Sequence, residues 1–208
     1  MKYEPEILRG FSAAIIFLLY VVLWAIKRRA QIQQSGIDPE VIYKDKKPSQ
    51  MFFASMLRIM TLSIIIILVL HTYGISDIPG FYNLFKLSDS MAATIGISIS
   101  FFGLFICYVA QKTMGNAWRV GIDRDNITHL IESGIFSYSR NPTYLGLFLV
   151  CCGLFVLFPT MMILIWILVF LLLLEFQVRL EEEYMLENHR QAYFNYMKKV
   201  KRYIPWIY

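Results

Sequence analysis

The chain has 208 residues, 57% of them apolar and only 17% charged, with a mean hydropathy of +0.52. A water-soluble domain of this size carries about a quarter charged residues, so ordinary folding in water is excluded. The apolar content, with only 11 Gly and 7 Pro, also excludes a disordered or collagen-like chain. The net charge of +5 would suit a nucleic-acid binder, but in a membrane chain the positions of the basic residues matter more than their sum.

Uncharged runs predict an all-α polytopic membrane fold in a single domain, residues 1–208, with spans at about 8–26, 54–73, 91–111, 143–158 and 160–178. In lipid every backbone N–H and C=O needs an internal partner, which helices supply, and the runs lack the alternation of barrel strands. The first run is preceded by Glu4 and Glu6 and followed by Lys27-Arg28-Arg29. That is the reverse of the charge order of a cleavable signal. Arg58 lies near the basic end of the second run and is expected to snorkel, the alternative being a hold on a ligand carboxylate. The last run, Asn141 to Leu174, would reach about 51 Å as one helix, against a hydrocarbon core of about 30 Å. It must fold back, and Pro159-Thr160 is the predicted turn. Cys107, Cys151 and Cys152 lie within spans without metal-ligand spacing and read as packing residues. The first seventy residues offer only generic spans.

Lys and Arg cluster on one side. The 27–50 loop, the 112–140 loop and the tail from Arg179 hold 16, against Lys2, Arg9 and Lys86 opposite. This bias puts the N-terminus outside and the C-terminus in the cytoplasm, across a plasma or endoplasmic reticulum membrane depending on the organism. It also removes the support for nucleic acid as a partner.

Two polar stretches flank the last spans. If the fifth helix continues past the membrane surface, Glu175, Glu182, His189, Tyr193 and Val200 form a stripe, and Arg179 can pair with Glu175 or Glu183. Lys198, Lys199, Lys201 and Arg202 suit anionic lipid, whereas Glu181-Glu182-Glu183 calls for a cationic ligand or a basic loop. Before the fourth span, Asn141 is a good N-cap and Pro142 fits the first turn. A helix N-terminus beside Arg140 suits a carboxylate or phosphate; a plain membrane-entry cap would use the same residues.

Arg140-Asn141-Pro142-Thr143-Tyr144-Leu145-Gly146, a hydrophobic hairpin, Arg179 with Glu181-Glu182-Glu183, then Tyr193-Phe194-Asn195-Tyr196, Val200 and Pro205 follow in order. This order resembles the isoprenylcysteine carboxyl methyltransferase family and the wider group of small membrane methyltransferases that includes phospholipid N-methyltransferases. The resemblance covers roughly Gly115 to Pro205. Asn141 stands where that family often has His, and His189-Arg190 where a Phe-Gly pair usually precedes Tyr-x-x-Tyr. Asn keeps a donor and an acceptor but no imidazole; Arg for Gly implies a different local turn or an unbroken helix.

The resemblance implies S-adenosyl-L-methionine as methyl donor. Arg140 and the N–H groups opening the fourth helix would meet its α-carboxylate, Glu181 and Glu182 its amine and ribose, and Tyr144, Leu145 or Trp118 its adenine. Asn141, Pro142, Gly146, His189 and Tyr193 complete the implied cofactor site. Arg179 with Glu183 would hold the acceptor, most simply a carboxylate of isoprenylcysteine type on a lipophilic molecule entering from the bilayer lipids. An amine or thiol acceptor would need a base, Glu183 or His189. The alternatives are a phospholipid amine or thiol methyltransferase, an NADPH-dependent membrane reductase with a similar Arg-x-Pro-x-Tyr segment, and a non-catalytic membrane protein. The end, Pro205-Trp206-Ile207-Tyr208, is no prenylation signal.

Overall fold

Five helices realise the five predicted spans in the computed structural model, which describes residues 4–73 and 79–204: α1 (Glu4–Ser35), α2 (Pro48–Thr72), α3 (Asp89–Met114), α4 (Pro142–Leu157) and α5 (Met161–Lys199). Lys2 and the Pro205-Trp206-Ile207-Tyr208 end lie outside the described residues. No strand forms among the described residues, and α1, α2, α3 and α5 are each long and apolar enough to cross a membrane. Leu62, Phe102 and Leu172 face outward, as side chains bathed in lipid do. The protein is an integral membrane protein. α4 has only 16 residues, about 24 Å of helix.

Local chemistry sets the helix ends. Pro48 opens α2 and Pro142 opens α4, where a missing N–H costs nothing. Ser88 caps α3 by accepting from Met91 N, and Thr160 caps α5 by accepting from Ile163 N. The turn at Pro159-Thr160 separates α4 from α5 as expected.

α3 and α4 cross backbone to backbone. A Cβ on Gly103 would stand 2.5 Å from the Gly146 carbonyl oxygen, and one on Gly146 would stand 2.6 Å from Cys107 Sγ. Small residues at this crossing allow the dispersion contact that replaces the hydrophobic effect in lipid.

The tip of the α4–α5 hairpin is sealed mostly by neutral groups, with Arg9, paired to Asp89, donating to Leu157 O at 3.4 Å. His71 Nε2 and Thr160 Oγ1 lie 2.9 Å apart, Phe81 stacks on the His71 ring, Leu84 N donates to Pro159 O and Met162 N to Gly80 O. At the opposite, basic end two loops interlock. Val41 N and Ile42 N donate to Val120 O, Val120 N donates to Pro39 O, and buried Gln31 Nε2 donates to the carbonyls of Asn116 and Trp118. Arg28 pairs with Asp38 and Glu40 to fix the first of these loops. Gly121, at φ +92°, is pressed against Ile42, where a Cβ would stand 2.7 Å from its Cα. The 36–47 segment is therefore part of the cap over this end, and the first seventy residues are more than generic spans. Arg58 reaches the same loop, its guanidinium 4.1 Å from the Tyr43 ring centroid.

α5 bends at Arg190, which adopts φ +42°, ψ −113°, a conformation that L side chains rarely take. The Gly-to-Arg departure thus keeps a glycine-like turn, and the predicted stripe stops there. Beyond it Tyr193, Tyr196 and Val200 pack together with Leu130 and Met185 beside them, and Tyr196 OH donates to Phe136 O at 2.6 Å.

Candidate functional site

The Arg140 guanidinium is buried and almost fully engaged. Nε and Nη2 donate to Glu182 Oε1 at 3.1 and 2.8 Å, and Nη1 donates to the carbonyls of Val200 and Met197 at 2.6 and 3.3 Å. Arg202, returning after the bend, donates from Nε and Nη2 to Glu182 Oε2 at 3.1 and 2.7 Å and from Nη1 to Glu175 Oε1 at 3.0 Å. Tyr203 OH adds a 2.6 Å bond to Glu175 Oε2. Burial alone would raise the Glu182 carboxyl; the bonds from Arg202 and Arg140 outweigh it and hold the group below the usual carboxylate range.

This clamp sets the start of α4. Arg140 N and Asn141 N donate to Lys201 O and Arg202 O. Asn141 occupies the N-cap position, yet its side chain makes no capping bond; Nδ2 turns instead to Glu182 Oε1 and Arg202 O, both at 3.4 Å. With Pro142 lacking an N–H, Thr143 and Tyr144 supply the first-turn donors of α4.

Glu181 differs from its neighbour. It accepts from Tyr144 OH at 2.7 Å and Gln177 Nε2 at 2.9 Å, and Gln177 Oε1 in turn accepts from Gln50 Nε2 at 3.0 Å. These partners are all neutral. Burial raises the Glu181 carboxyl, against the opposing effect of the Gln177 and Tyr144 bonds.

Glu181 lies on the wall of a cavity of about 540 Å³, a size ordinary for small-molecule sites. The cavity begins under the interlocked loops beside Ile42 and Trp118, passes Tyr20 and Tyr144, and continues along apolar side chains to Leu157 at the far end of α4. Arg119 and Arg140 share its wall, but Arg119 is already bound to Asp123 Oδ2 at 2.8 Å and to the carbonyls of Asn116 and Trp118. Gln111 also lines it, 2% exposed, with its carboxamide oxygen lacking a partner. The wall is thus mostly apolar, its guanidiniums are bound to other groups, and the Glu181 hydrogen bonds among the described residues come from neutral donors, Tyr144 and Gln177.

Of the residues expected at a site, Arg140, Asn141, Pro142, Tyr144, Glu181, Glu182 and Tyr193 meet around this cavity. Gly146 is instead spent on the crossing with α3. Leu145 and His189 are half-buried off the cavity wall. Arg179 is 62% exposed and pairs with Glu175 at 2.9 Å, and Glu183 is exposed on the same helix; neither touches the cavity. The sequence reading missed Gln50, Gln111, Gln177 and the inward role of Arg202. A polar residue inside an apolar helix is the signal that could have flagged Gln111 and Gln177. Among the described residues no group of His, Cys, Asp and Glu is arranged to hold a metal ion.

The family model described as phospholipid methyltransferase matches residues 91–192, from the start of α3 to just past the bend in α5. Over 127 residues the chain is 28% identical to the protein-S-isoprenylcysteine O-methyltransferase of Saccharomyces cerevisiae. That match covers 59% of this chain and 53% of the yeast protein, so it spans about half the length of this relative. The matched family segment contains the α3–α4 crossing, the Arg140 to Gly146 motif and the Glu181–Glu182 pair, which form one side of the cavity, while α1, α2 and the 36–47 segment, outside the match, form much of the rest. Residues 91–192, just under half of the chain, are thus similar to the phospholipid methyltransferase family, and the chain as a whole is similar to an isoprenylcysteine O-methyltransferase over the 127 residues they share.

Proposed function

We propose that this protein is a membrane methyltransferase that uses S-adenosyl-L-methionine to methylate a lipophilic acceptor, a carboxylate of isoprenylcysteine type. The basic end faces the cytoplasm in this reading and the N-terminus lies outside, in accord with the distribution of Lys and Arg. The observation that carries the reading is that one cavity joins Glu181, a carboxylate bonded among the described residues by neutral donors, to an apolar shaft reaching Leu157. A cationic donor fits the first and a hydrocarbon acceptor the second. The unmet capacity of Glu181 and the unpartnered Gln111 oxygen suit a polar nucleoside better than a second lipid chain.

When bound, the donor supplies a methyl carbon made electrophilic by its positive sulfur. Glu181, oriented by Tyr144 and Gln177, receives the donor's ammonium, and the N–H groups of Thr143 and Tyr144 receive its carboxylate. Arg140, Asn141, Glu182 and Arg202 form the frame that fixes these groups, with Pro142 setting the helix start and Tyr193 closing the wall. The apolar shaft excludes water, and alignment in a dry site is what an in-line displacement needs. Arg179, outside the cavity on α5 with Glu183 one turn beyond it, draws the acceptor carboxylate from the surface before that group enters the dry cavity; the carboxylate is ionised at neutral pH and needs no base. A second reading, an amine or thiol acceptor, is favoured by the raised Glu181 carboxyl on the wall, which could serve as base.

Membranes holding the protein, given donor labelled in its methyl group and a prenylcysteine probe, should yield a labelled, base-labile methyl ester in the lipid-soluble fraction by mass spectrometry. Label in an amine or thioether would select the second reading. No labelled lipid-soluble product would reject both.

A further inference from the structure

The carboxamide oxygen of Gln111 is buried without a hydrogen-bond partner, although the residue is 2% exposed and lies on the cavity wall. A buried amide left in this state is costly, so its capacity is expected to be met by something that enters the cavity. Its height in the membrane follows from its neighbours. Cys107 Sγ donates to Thr143 O in the first turn of α4, and Gln111 lies one helical turn beyond Cys107 toward the basic end. One turn further, Gly115 O is held by Lys27 Nζ at 2.8 Å, and the Trp118 carbonyl by Gln31. Gln111 therefore sits with Glu181 at the polar mouth, far from the Leu157 end of the shaft.

We infer that Gln111 recognises the adenine of the methyl donor, pairing its carboxamide with the base's 6-amino group and the adjacent ring nitrogen. This deepens the donor reading and rests on it. A carboxamide offers one donor face and one acceptor face side by side, and the adenine edge offers the complement, so two bonds form at once. The hydrocarbon of the acceptor offers neither. Buried Trp118, held by the bonds of its own carbonyl, and the half-buried Trp24 supply apolar faces on the same cavity wall for the flat base. The donor's two ends are then read by different helices: the ammonium by Glu181 on α5 and the base by Gln111 on α3.

Calorimetry on the full-length protein in detergent tests this, using S-adenosylhomocysteine and its analogue with hydrogen in place of the 6-amino group. The wild type should bind the amino-bearing ligand about tenfold more tightly. Gln111→Met, close in shape but unable to pair, should bind both ligands alike and weakly, and Gln111→Glu should keep part of the preference. The thermal midpoint of ligand-free Gln111→Met should equal or exceed that of the wild type, since it loses an unpaired amide; a purely structural role would lower it. Glu181→Gln should weaken both ligands by the same factor and so leave the preference intact. If Gln111→Met keeps the full preference while Glu181→Gln weakens binding, this assignment is wrong and the donor reading stands. If the wild type binds neither ligand, both fall.

Discussion

The two ends of the α4–α5 hairpin are closed by different chemistry. At the tip, His71, Thr160, Phe81 and backbone groups of Gly80 and Leu84 bond one another, and the charge present, Arg9 on Leu157 O, is paired with Asp89. At the basic end, Glu182 bridges Arg140 and Arg202, and next to this saturated trio Glu181 and Gln111 keep hydrogen-bonding capacity unused by the protein. The contrast separates support from recognition. Mutually satisfied bonding holds a turn shut, whereas a charged frame beside incomplete bonding holds a cavity ready for a ligand.

Breaking the frame should have the largest effect. Arg140→Ala leaves Glu182 buried with half its partners, a loss of about 3–5 kcal/mol, visible as a large fall in the thermal midpoint in detergent together with loss of donor binding. Glu181→Gln should do the reverse: donor affinity falls roughly 10–100-fold by calorimetry while the midpoint barely moves. Thr160→Val, at the tip, should cost about 1 kcal/mol of stability and leave donor affinity unchanged. Arg190→Gly should add about 1 kcal/mol by relieving the positive φ, a small rise in midpoint with the site intact.

Acid separates the two glutamates. The Glu181 carboxyl is raised, so its charge, needed for a cationic ligand, is lost as pH falls through a value above the usual carboxylate range. The Glu182 carboxyl is depressed, so its contribution to stability is present above the unfolded carboxylate pKa and is lost only as pH falls through the lower folded value. Donor affinity should therefore decline first and thermal stability later in one acid titration. Glu181→Gln should abolish the first step and spare the second.

The spans, the Pro159-Thr160 turn and the order of the motifs were legible because they are local: hydrophobic run lengths, a helix-breaking residue and short fixed spacings. What escaped the sequence is pairing at a distance. Nothing near Gln50 signals its bond to Gln177 across 127 positions, and nothing in the 36–47 segment announces that Val41 and Ile42 will bind Val120. Arg202 looked like a lipid-facing cation because it sits among Lys198, Lys199 and Lys201; the bend at Arg190 turns it inward to Glu175 and Glu182. Arg179 was legible as a partner of Glu175, but its 62% exposure was not.

The brevity of α4 bears on the surrounding lipid as well as on the protein. Sixteen residues reach about 24 Å, some 6 Å less than an average hydrocarbon layer. Where lipid reaches α4, at Phe148, acyl chains that compress to match its length would draw the two leaflets together on that side. A thicker, sterol-stiffened bilayer would resist that indentation, and the protein should partition toward thinner membranes.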